Sequence, residues 1–230
     1  MATTDLTLTL QGDQQQIAVI KLTRAAKRNA LNDALILALR DTFQNLPSSV
    51  RAAVVDGDGE HFCAGLDLSE LQERDAGQGL HHSRMWHAAL DCVQSGPVPV
   101  IAALHGAVVG GGLELASACH IRVADETTFF ALPEGTRGIF VGGGGSVRIP
   151  KLIGVARMTD MMLTGRVYNA ADGERVGLAQ YLVPAGTALD KALALATQIA
   201  TNAPLTIYAL MHALPRIAEE PADHGFFTEA

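Results

Sequence analysis

Positive charge is in short supply in this chain. Seventeen lysines and arginines stand against 24 aspartates and glutamates over 230 residues, a formal net charge of −7. That balance gives no general attraction for nucleic acid. Charged residues of both signs make up only 18% and hydrophobic ones 48%, which excludes a disordered chain and leaves ample material for a real core. No apolar run approaches the roughly 20 residues of a membrane span. Met1-Ala2-Thr3-Thr4-Asp5 has neither the basic nor the apolar stretch of a signal peptide. Cysteine is scarce as well: Cys63, Cys92 and Cys119 are scattered and odd in number, with neither disulfide-framework nor metal-ligand spacing. A reduced, cytoplasmic setting without a bound metal is the expectation. Internal repeats, low-complexity tracts and obvious linkers are absent too.

What is present alternates between two periods. Leu6 to Leu10 and Gln16 to Leu22, with Gly12-Asp13 between, read as a hairpin. Asn32 or Asp33 is placed to cap a helix running through Leu35, Leu39 and Phe43. Strands are predicted over 51–55, 97–103, 121–124, 128–130 and 179–183. Helices are predicted over 80–94, from Leu113, and over 145–153, 156–163, 170–176, 189–202 and 205–218. Strands alternating with helices mean an α/β fold with βαβ-type crossovers.

Two glutamates twenty residues apart carry the most chemistry. Glu114 closes Gly110-Gly111-Gly112-Leu113-Glu114, and Glu134 lies in Leu132-Pro133-Glu134-Gly135. Consecutive glycines let backbone N–H groups approach a ligand unobstructed, and here they stand at a predicted helix N-terminus, which favours a negative oxygen. Apolar neighbours on both sides would raise the pKa of either carboxyl and suit it to proton transfer. Glu114 alone has a dull reading as a helix-dipole partner. The cluster Arg24, Lys27 and Arg28 likewise reads either as a solvated turn or as a docking point for ligand phosphates.

Taken in order, the motifs resemble one family. Lys27-Arg28-Asn29-Ala30-Leu31-Asn32, Phe62-Cys63-Ala64-Gly65-Leu66-Asp67-Leu68, Val100 to Gly106, Gly110 to Ala116, Phe130-Ala131-Leu132-Pro133-Glu134 and Leu163-Thr164-Gly165-Arg166 look like those of the crotonase (enoyl-CoA hydratase/isomerase) superfamily. The similarity spans roughly residues 5 to 215. It implies a crotonase-like α/β fold of repeated ββα units with a C-terminal helical layer, divided into a core over 1–185 and a helical region over 186–230. Family members continue a few tens of residues further with a helix over the CoA pocket, so that region is expected to be incomplete relative to the family.

The resemblance also implies roles. The amides of Leu66 and Gly111 would hold the thioester oxygen. Ala26, Lys27 and Arg28 would meet the adenine and phosphates of coenzyme A, and Ala64 and Asp67 would lie along the pantetheine and adenine. Hydratases of the family carry both glutamates, whereas monofunctional isomerases keep the second. Glu114 and Glu134 together therefore imply addition of water to a 2-enoyl-CoA, with no cofactor beyond the coenzyme A of the substrate. The family typically forms trimers, often paired as hexamers, and the apolar residues from Val155 to Val167 are expected at that contact. Neither nucleic acid nor membrane is expected as a partner.

Leu132 stands where hydratases commonly have glutamine, and Gly138 to Gly143 lacks a proline often found there. Both changes lie near the acyl pocket. Isomerisation, thioester hydrolysis and cleavage after hydration are the rival reactions, and a non-catalytic binding homologue is the rival class. His81, His82 and His87 imitate a metal site without a carboxylate at suitable spacing. Cys63 reads as packing and His105 as structural; Met85 and Trp86 read equally as acyl-pocket lining or plain core.

Overall fold

Hydrophobic alternation along the strands builds a sheet with two covered faces. The structure, a computed structural model, describes residues 5–70, 73 and 75–230; residues 1–4, on which the expectation about a signal peptide falls, lie outside the described residues. Strands β1 (Leu6–Gln11), β2 (Ile17–Leu22), β3 (Ala52–Gly57), β4 (Val100–Leu104), β6 (Ile121–Asp125) and β9 (Tyr181–Val183) form one sheet in that spatial order. Only β1 and β2 are antiparallel; every later neighbour is parallel. Odd and even positions separate cleanly. Ala18, Ile20, Ala53, Val55, Ala102 and Leu104 face one core, and Ile17, Val19, Ala52, Val54, Ile101 and Ala103 face another. Strands buried on both faces read as continuous apolar runs, as β3 and β4 do.

The first core is covered by α1 (Asp33–Gln44), α2 (Ala76–Gln94) and α3 (Gly111–Ala118). Asn32 caps α1 by accepting from the Leu35 amide at 2.8 Å, and Leu35, Ile36, Leu39 and Phe43 are buried along one stripe. Each such side chain stabilises the fold by roughly 1.5–3 kcal/mol. The predicted 80–94 helix starts earlier, because Asp75 and Gln78 form a reciprocal capping box ahead of it. The second core is closed by α7 (Ala188–Ala200) through Ala188, Ala192, Leu195 and Ala196.

A small second sheet was not legible. β5 (Ala107–Val109), β7 (Phe129–Ala131) and β8 (Tyr168–Asn169) pair in that order. Gly106, at φ 54, turns the chain sharply between β4 and β5; a Cβ there would stand 2.1 Å from the Glu60 carbonyl oxygen. Three further helices, α4 (Gly145–Ile153), α5 (Val155–Thr164) and α6 (Ala170–Val176), follow the predicted bounds closely. The predicted 205–218 helix runs without interruption over 204–217, as α8 (Pro204–Tyr208), a wide π turn over Ala209–Ala213 and α9 (Leu214–Ile217). Pro215 has no N–H to continue the α pattern, which accounts for the widened turn. A last helix, α10 (Ala222–Glu229), was not foreseen.

Within α5, Met158 and Met161 are buried in the first core rather than left for a subunit contact. Val155, Leu163 and Val167 are exposed. Among the described residues no helix is long and apolar enough to cross a membrane.

Candidate active site

Parallel strands deliver their C-terminal loops to one end of the sheet, where such folds bind ligands. Here those loops are 23–32 after β2, 58–68 after β3 and 105–110 around β5. They are stitched to one another. Asn29, fully buried at φ 55, donates from Nδ2 to the carbonyls of Asp58 (2.9 Å) and His61 (2.7 Å). Leu31 bridges to Leu66 in parallel fashion: its N–H donates to the Gly65 carbonyl at 2.7 Å, and its own carbonyl accepts from the Asp67 amide at 2.8 Å. In a parallel bridge the paired residue turns its own amide to the opposite side. The Leu66 N–H therefore faces away from Leu31, toward Gly111. A Cβ built on Gly111 would lie 3.5 Å from the Leu66 nitrogen.

Gly110, at φ 53, starts α3, so Gly111 is the first helical residue and its N–H has no partner in the preceding turn. Among the described residues neither the Leu66 nor the Gly111 amide donates to a backbone carbonyl. Two amides without a backbone partner, one from the loop after β3 and one from the buried start of α3, thus belong to residues that line one pocket. Gly112 leaves no alternative to glycine, since a Cβ would meet the Cys63 carbonyl oxygen at 2.3 Å.

Both predicted glutamates line that pocket, which measures about 200 Å³ and also takes in Leu66, Gly111, Trp86 and Ile139 to Gly143. Glu114 is 4% exposed. Its Oε1 accepts from the Gly143 and Gly145 amides, each at 2.8 Å. Burial pushes its pKa up, and those amides pull it part of the way back. Glu134 is 7% exposed, with Oε2 buried and without a hydrogen-bond partner among the described residues. Its pKa is pushed up to about 7, chiefly by burial, with the nearby Glu114 charge adding to the rise and Arg137 opposing it. Glu134 reaches this place because the Gly110 amide donates to the Ala131 carbonyl at 2.9 Å, drawing the end of β7 against the glycine turn. A Cβ on Gly110 would stand 2.5 Å from Glu134 Oε1.

The basic cluster splits. Ala26, Lys27 and Arg28 are exposed on a 3₁₀ turn over Ala25–Lys27 beside the site loop. Arg24 departs from the expectation: it is held by Asp5 (2.9 Å), by Asp67 (3.0 Å) and by the Ala30 carbonyl. It fastens the loops and is not a spare cation. Asp67 is 5% exposed, and its carboxylate also accepts from the Ser69 hydroxyl (2.6 Å) and amide (3.1 Å). The Ser69 hydroxyl, with Arg24 behind it, lowers the Asp67 pKa to about 2. Ala64 is half-buried and donates its amide to the Arg28 carbonyl at 2.9 Å. A narrow extension of the pocket is lined by Ala64, Leu68, Pro133 and Arg137.

Several contributors escaped the sequence reading. The amides of Gly143 and Gly145 anchor Glu114, and the glycine run was their only signal. Ser83 Oγ donates to the Gly142 carbonyl at 3.1 Å, and Arg148 donates to Gly143 at 2.9 Å while being held by Gln94 at 2.6 Å. The histidines assemble no metal site: among the described residues no three His, Cys, Asp or Glu side chains converge on a cation position. His82 instead pairs with Asp33 at 2.7 Å. Cys63 is fully buried and its thiol pKa is pushed up to about 12 by burial, as suits a packing residue.

Comparison with known proteins agrees with this geometry. The sequence profile of the family described as Enoyl-CoA hydratase/isomerase matches residues 12–229. The chain belongs to that family. It is 34% identical to the 2,3-dehydroadipyl-CoA hydratase of Escherichia coli over 94% of this chain and 85% of the relative. A crystal structure from Rhodopseudomonas palustris, of a protein provisionally named an enoyl-CoA hydratase, superposes with a TM-score of 0.95 at 58% identity, covering 98% of this chain and 86% of that one. A Thermobifida fusca protein, also provisionally so named and solved in complex with CoA, superposes with a TM-score of 0.90 at 25% identity, covering 98% and 90%. The fold is thus the crotonase fold of enoyl-CoA hydratases.

Proposed function

We propose that this protein is an enoyl-CoA hydratase that adds water across the double bond of a 2-enoyl-CoA. The observation that carries the reading is the meeting of two buried glutamates with the Leu66 and Gly111 amides around one pocket. The thioester oxygen accepts from both amides. As charge moves onto it, these fixed donors stabilise the enolate, each worth about 3 kcal/mol by comparison with oxyanion sites elsewhere.

Glu114, steadied at Oε1 by Gly143 and Gly145, takes a proton from water as its oxygen attacks C3. Glu134 holds its proton to about pH 7 and delivers it to C2. One C–O and one C–H bond form while the carbon–carbon double bond becomes single. Glu114 ends protonated and Glu134 ionised, and one proton passing between the coupled pair restores the start. Coenzyme A enters as part of the substrate, with Lys27, Arg28 and Ala26 near its phosphates and adenine and the Ala64–Asp67 loop along its pantetheine. The CoA found in the Thermobifida fusca relative supports this class of ligand. No further cofactor enters the reaction.

The test follows the conjugated thioester absorbance of 2-butenoyl-CoA. Glu134→Gln should abolish both hydration and 3-enoyl to 2-enoyl isomerisation. Glu114→Gln should stop hydration and spare isomerisation. Equal loss of both in Glu114→Gln would reject the division of roles. An intact protein that binds CoA but hydrates no enoyl-CoA would reject the hydratase reading.

A further inference from the structure

The glycine run that meets Glu114 is itself held from behind. Gly142 C=O and Gly143 N–H belong to one trans peptide group, so they point to opposite sides of it. The N–H side donates to Glu114 Oε1 at 2.8 Å, and the C=O side accepts from Ser83 Oγ, on α2, at 3.1 Å. The next carbonyl, that of Gly143, accepts from Arg148 Nη1 at 2.9 Å, and Arg148 Nε donates to Gln94 Oε1 at 2.6 Å. Ser83 and Gln94 lie on one face of α2, about three turns apart. The Gly144 carbonyl in turn accepts from the Val147 and Arg148 amides, each at 3.1 Å. Those bonds open α4, whose first residue, Gly145, is the second donor to Glu114. Gly144, at φ 96, has no Cβ to strike the Arg148 guanidinium. Two successive carbonyls are thus gripped by side chains and a third by a helix, while amides of the same strip of backbone reach one carboxylate oxygen.

A hydrogen bond accepted by a peptide C=O polarises the group and strengthens donation from its N–H. Ser83 acts in that way on the Gly143 amide. Arg148 fixes the strip between the two donating amides and brings a positive charge behind it. Burial raises the Glu114 pKa; the Gly145, Gly143 and Gly142 amides oppose the rise, and the Arg148 charge adds to that opposition. The other charged or titratable groups around this point are Glu134, which lines the same pocket, Asp91 of α2 near Arg148, and His87, whose Nε2 stands 3.4 Å from Ser83 Oγ. We propose that Ser83 and Arg148 are positioning residues for hydration: by gripping the Gly142 and Gly143 carbonyls they keep the Gly143 and Gly145 amides on Glu114, and so hold its carboxylate ready to take the proton from water. The task given to Glu114 rests on the hydratase reading, while the support of its carboxylate by the strip does not.

Activity and stability test the two layers separately. Hydration of 2-butenoyl-CoA by the intact enzyme should give a bell-shaped pH profile of kcat whose acid limb depends on Glu114. Arg148→Met and Ser83→Ala should each lower hydration kcat by about tenfold or more, the range lost when outer partners of a functional group are removed. Both should also move the acid limb to higher pH, because a carboxylate with weaker donors keeps its proton longer. KM should change little, and 3-enoyl to 2-enoyl isomerisation, which falls to Glu134, should drop by less. Arg148→Lys, which keeps the charge and a donor, and Ser83→Thr, which keeps the hydroxyl, should restore part of the loss. A double-mutant cycle in Tm, pairing Glu114→Gln with Arg148→Met and then with Ser83→Ala, needs no reaction. At pH 8 each support variant should destabilise the intact protein by about 2–4 °C more than it destabilises Glu114→Gln. At pH 4, where Glu114 is protonated, that difference should vanish. Additive Tm shifts at both pH values would overturn the proposal. So would equal losses of hydration and isomerisation with an unmoved acid limb, which would leave Ser83 and Arg148 as ordinary packing. Coupled Tm shifts in a protein that hydrates no enoyl-CoA would uphold the support of Glu114 and sink the hydratase reading alone.

Discussion

Replacing Glu134 by glutamine should make the protein more stable, and only above about pH 5. Burial raises the carboxyl from its ordinary 4.5 to about 7, with the Glu114 charge adding to it. At about 1.36 kcal/mol for each pH unit, that displacement sets a ceiling of roughly 3.4 kcal/mol on the cost of ionising Glu134 in the folded protein. The pocket is open to solvent, which screens the charge and brings the expected cost to about 2 kcal/mol. The sign follows from proton counting. Between pH 4.5 and 7 the folded state holds a proton that the unfolded state has released, so stability falls as pH rises through that window. Below it both states carry the proton, and Glu134→Gln is close to an isosteric exchange.

The assay is thermal unfolding of the intact protein and the variant at one fixed protein concentration from pH 4 to 8. A gain of about 2 kcal/mol corresponds to a Tm rise of roughly 4–8 °C for a chain of this size, appearing from pH 5 and levelling above 7. Glu114→Gln offers a control on the cause: since burial is the larger contribution, most of the pH dependence assigned to Glu134 should survive removal of the Glu114 charge. A difference between Glu134→Gln and the intact protein that is flat from pH 4 to 8 would refute the reasoning, and with it the view that Glu134 stores a proton near neutrality.

Two other outcomes are expected. The Lys27→Ala, Arg28→Ala double variant should raise KM for acyl-CoA and flatten its salt dependence with kcat nearly unchanged, because exposed charges act over about 8 Å at physiological ionic strength; an unaltered KM would mark the pair as ordinary surface. In light scattering the protein should form a trimer or a dimer of trimers, burying Val155, Leu163 and Val167, which one subunit leaves 54–77% exposed; a stable monomer at micromolar concentration would refute this.

What could be read without coordinates was whatever local periodicity or a dense motif records. The near-alternation of β2, the short apolar runs of β3 and β4, the α1 stripe and the Asn32 cap are each written within a dozen residues, and their bounds moved by only one to a few positions. β5 and β8 went unseen because three and two residues are too few to make a pattern stand out from the turns around them. The site divides along the same line. Leu66, Gly111, Glu114 and Glu134 sit in motifs, so they could be named. Their surroundings are tertiary: Arg24 met its carboxylates across 43 residues in one case, and Trp86 met Asp33 across 53.

That division has a physical consequence for how the site keeps its shape. Each of the two pocket glutamates is placed by backbone from a distant part of the chain, Glu114 by amides 29 and 31 residues onward and Glu134 by the glycine turn before α3. Glycine leaves the space those carboxylates occupy: a Cβ on Gly145 would lie 2.8 Å from Glu114 Oε1, and one on Gly110 would lie 2.5 Å from Glu134 Oε1. The glycines therefore serve as sockets for the carboxylates as much as flexible turns. Backbone sockets cannot change rotamer, so they hold a carboxylate in a low-dielectric pocket with little reorganisation when charge develops. Within the run Gly142 to Gly145, it is the peptide N–H groups of Gly143 and Gly145 that meet Glu114. A sequence motif can mark such a stretch as glycine-rich, but only the fold reveals that its amides face Glu114.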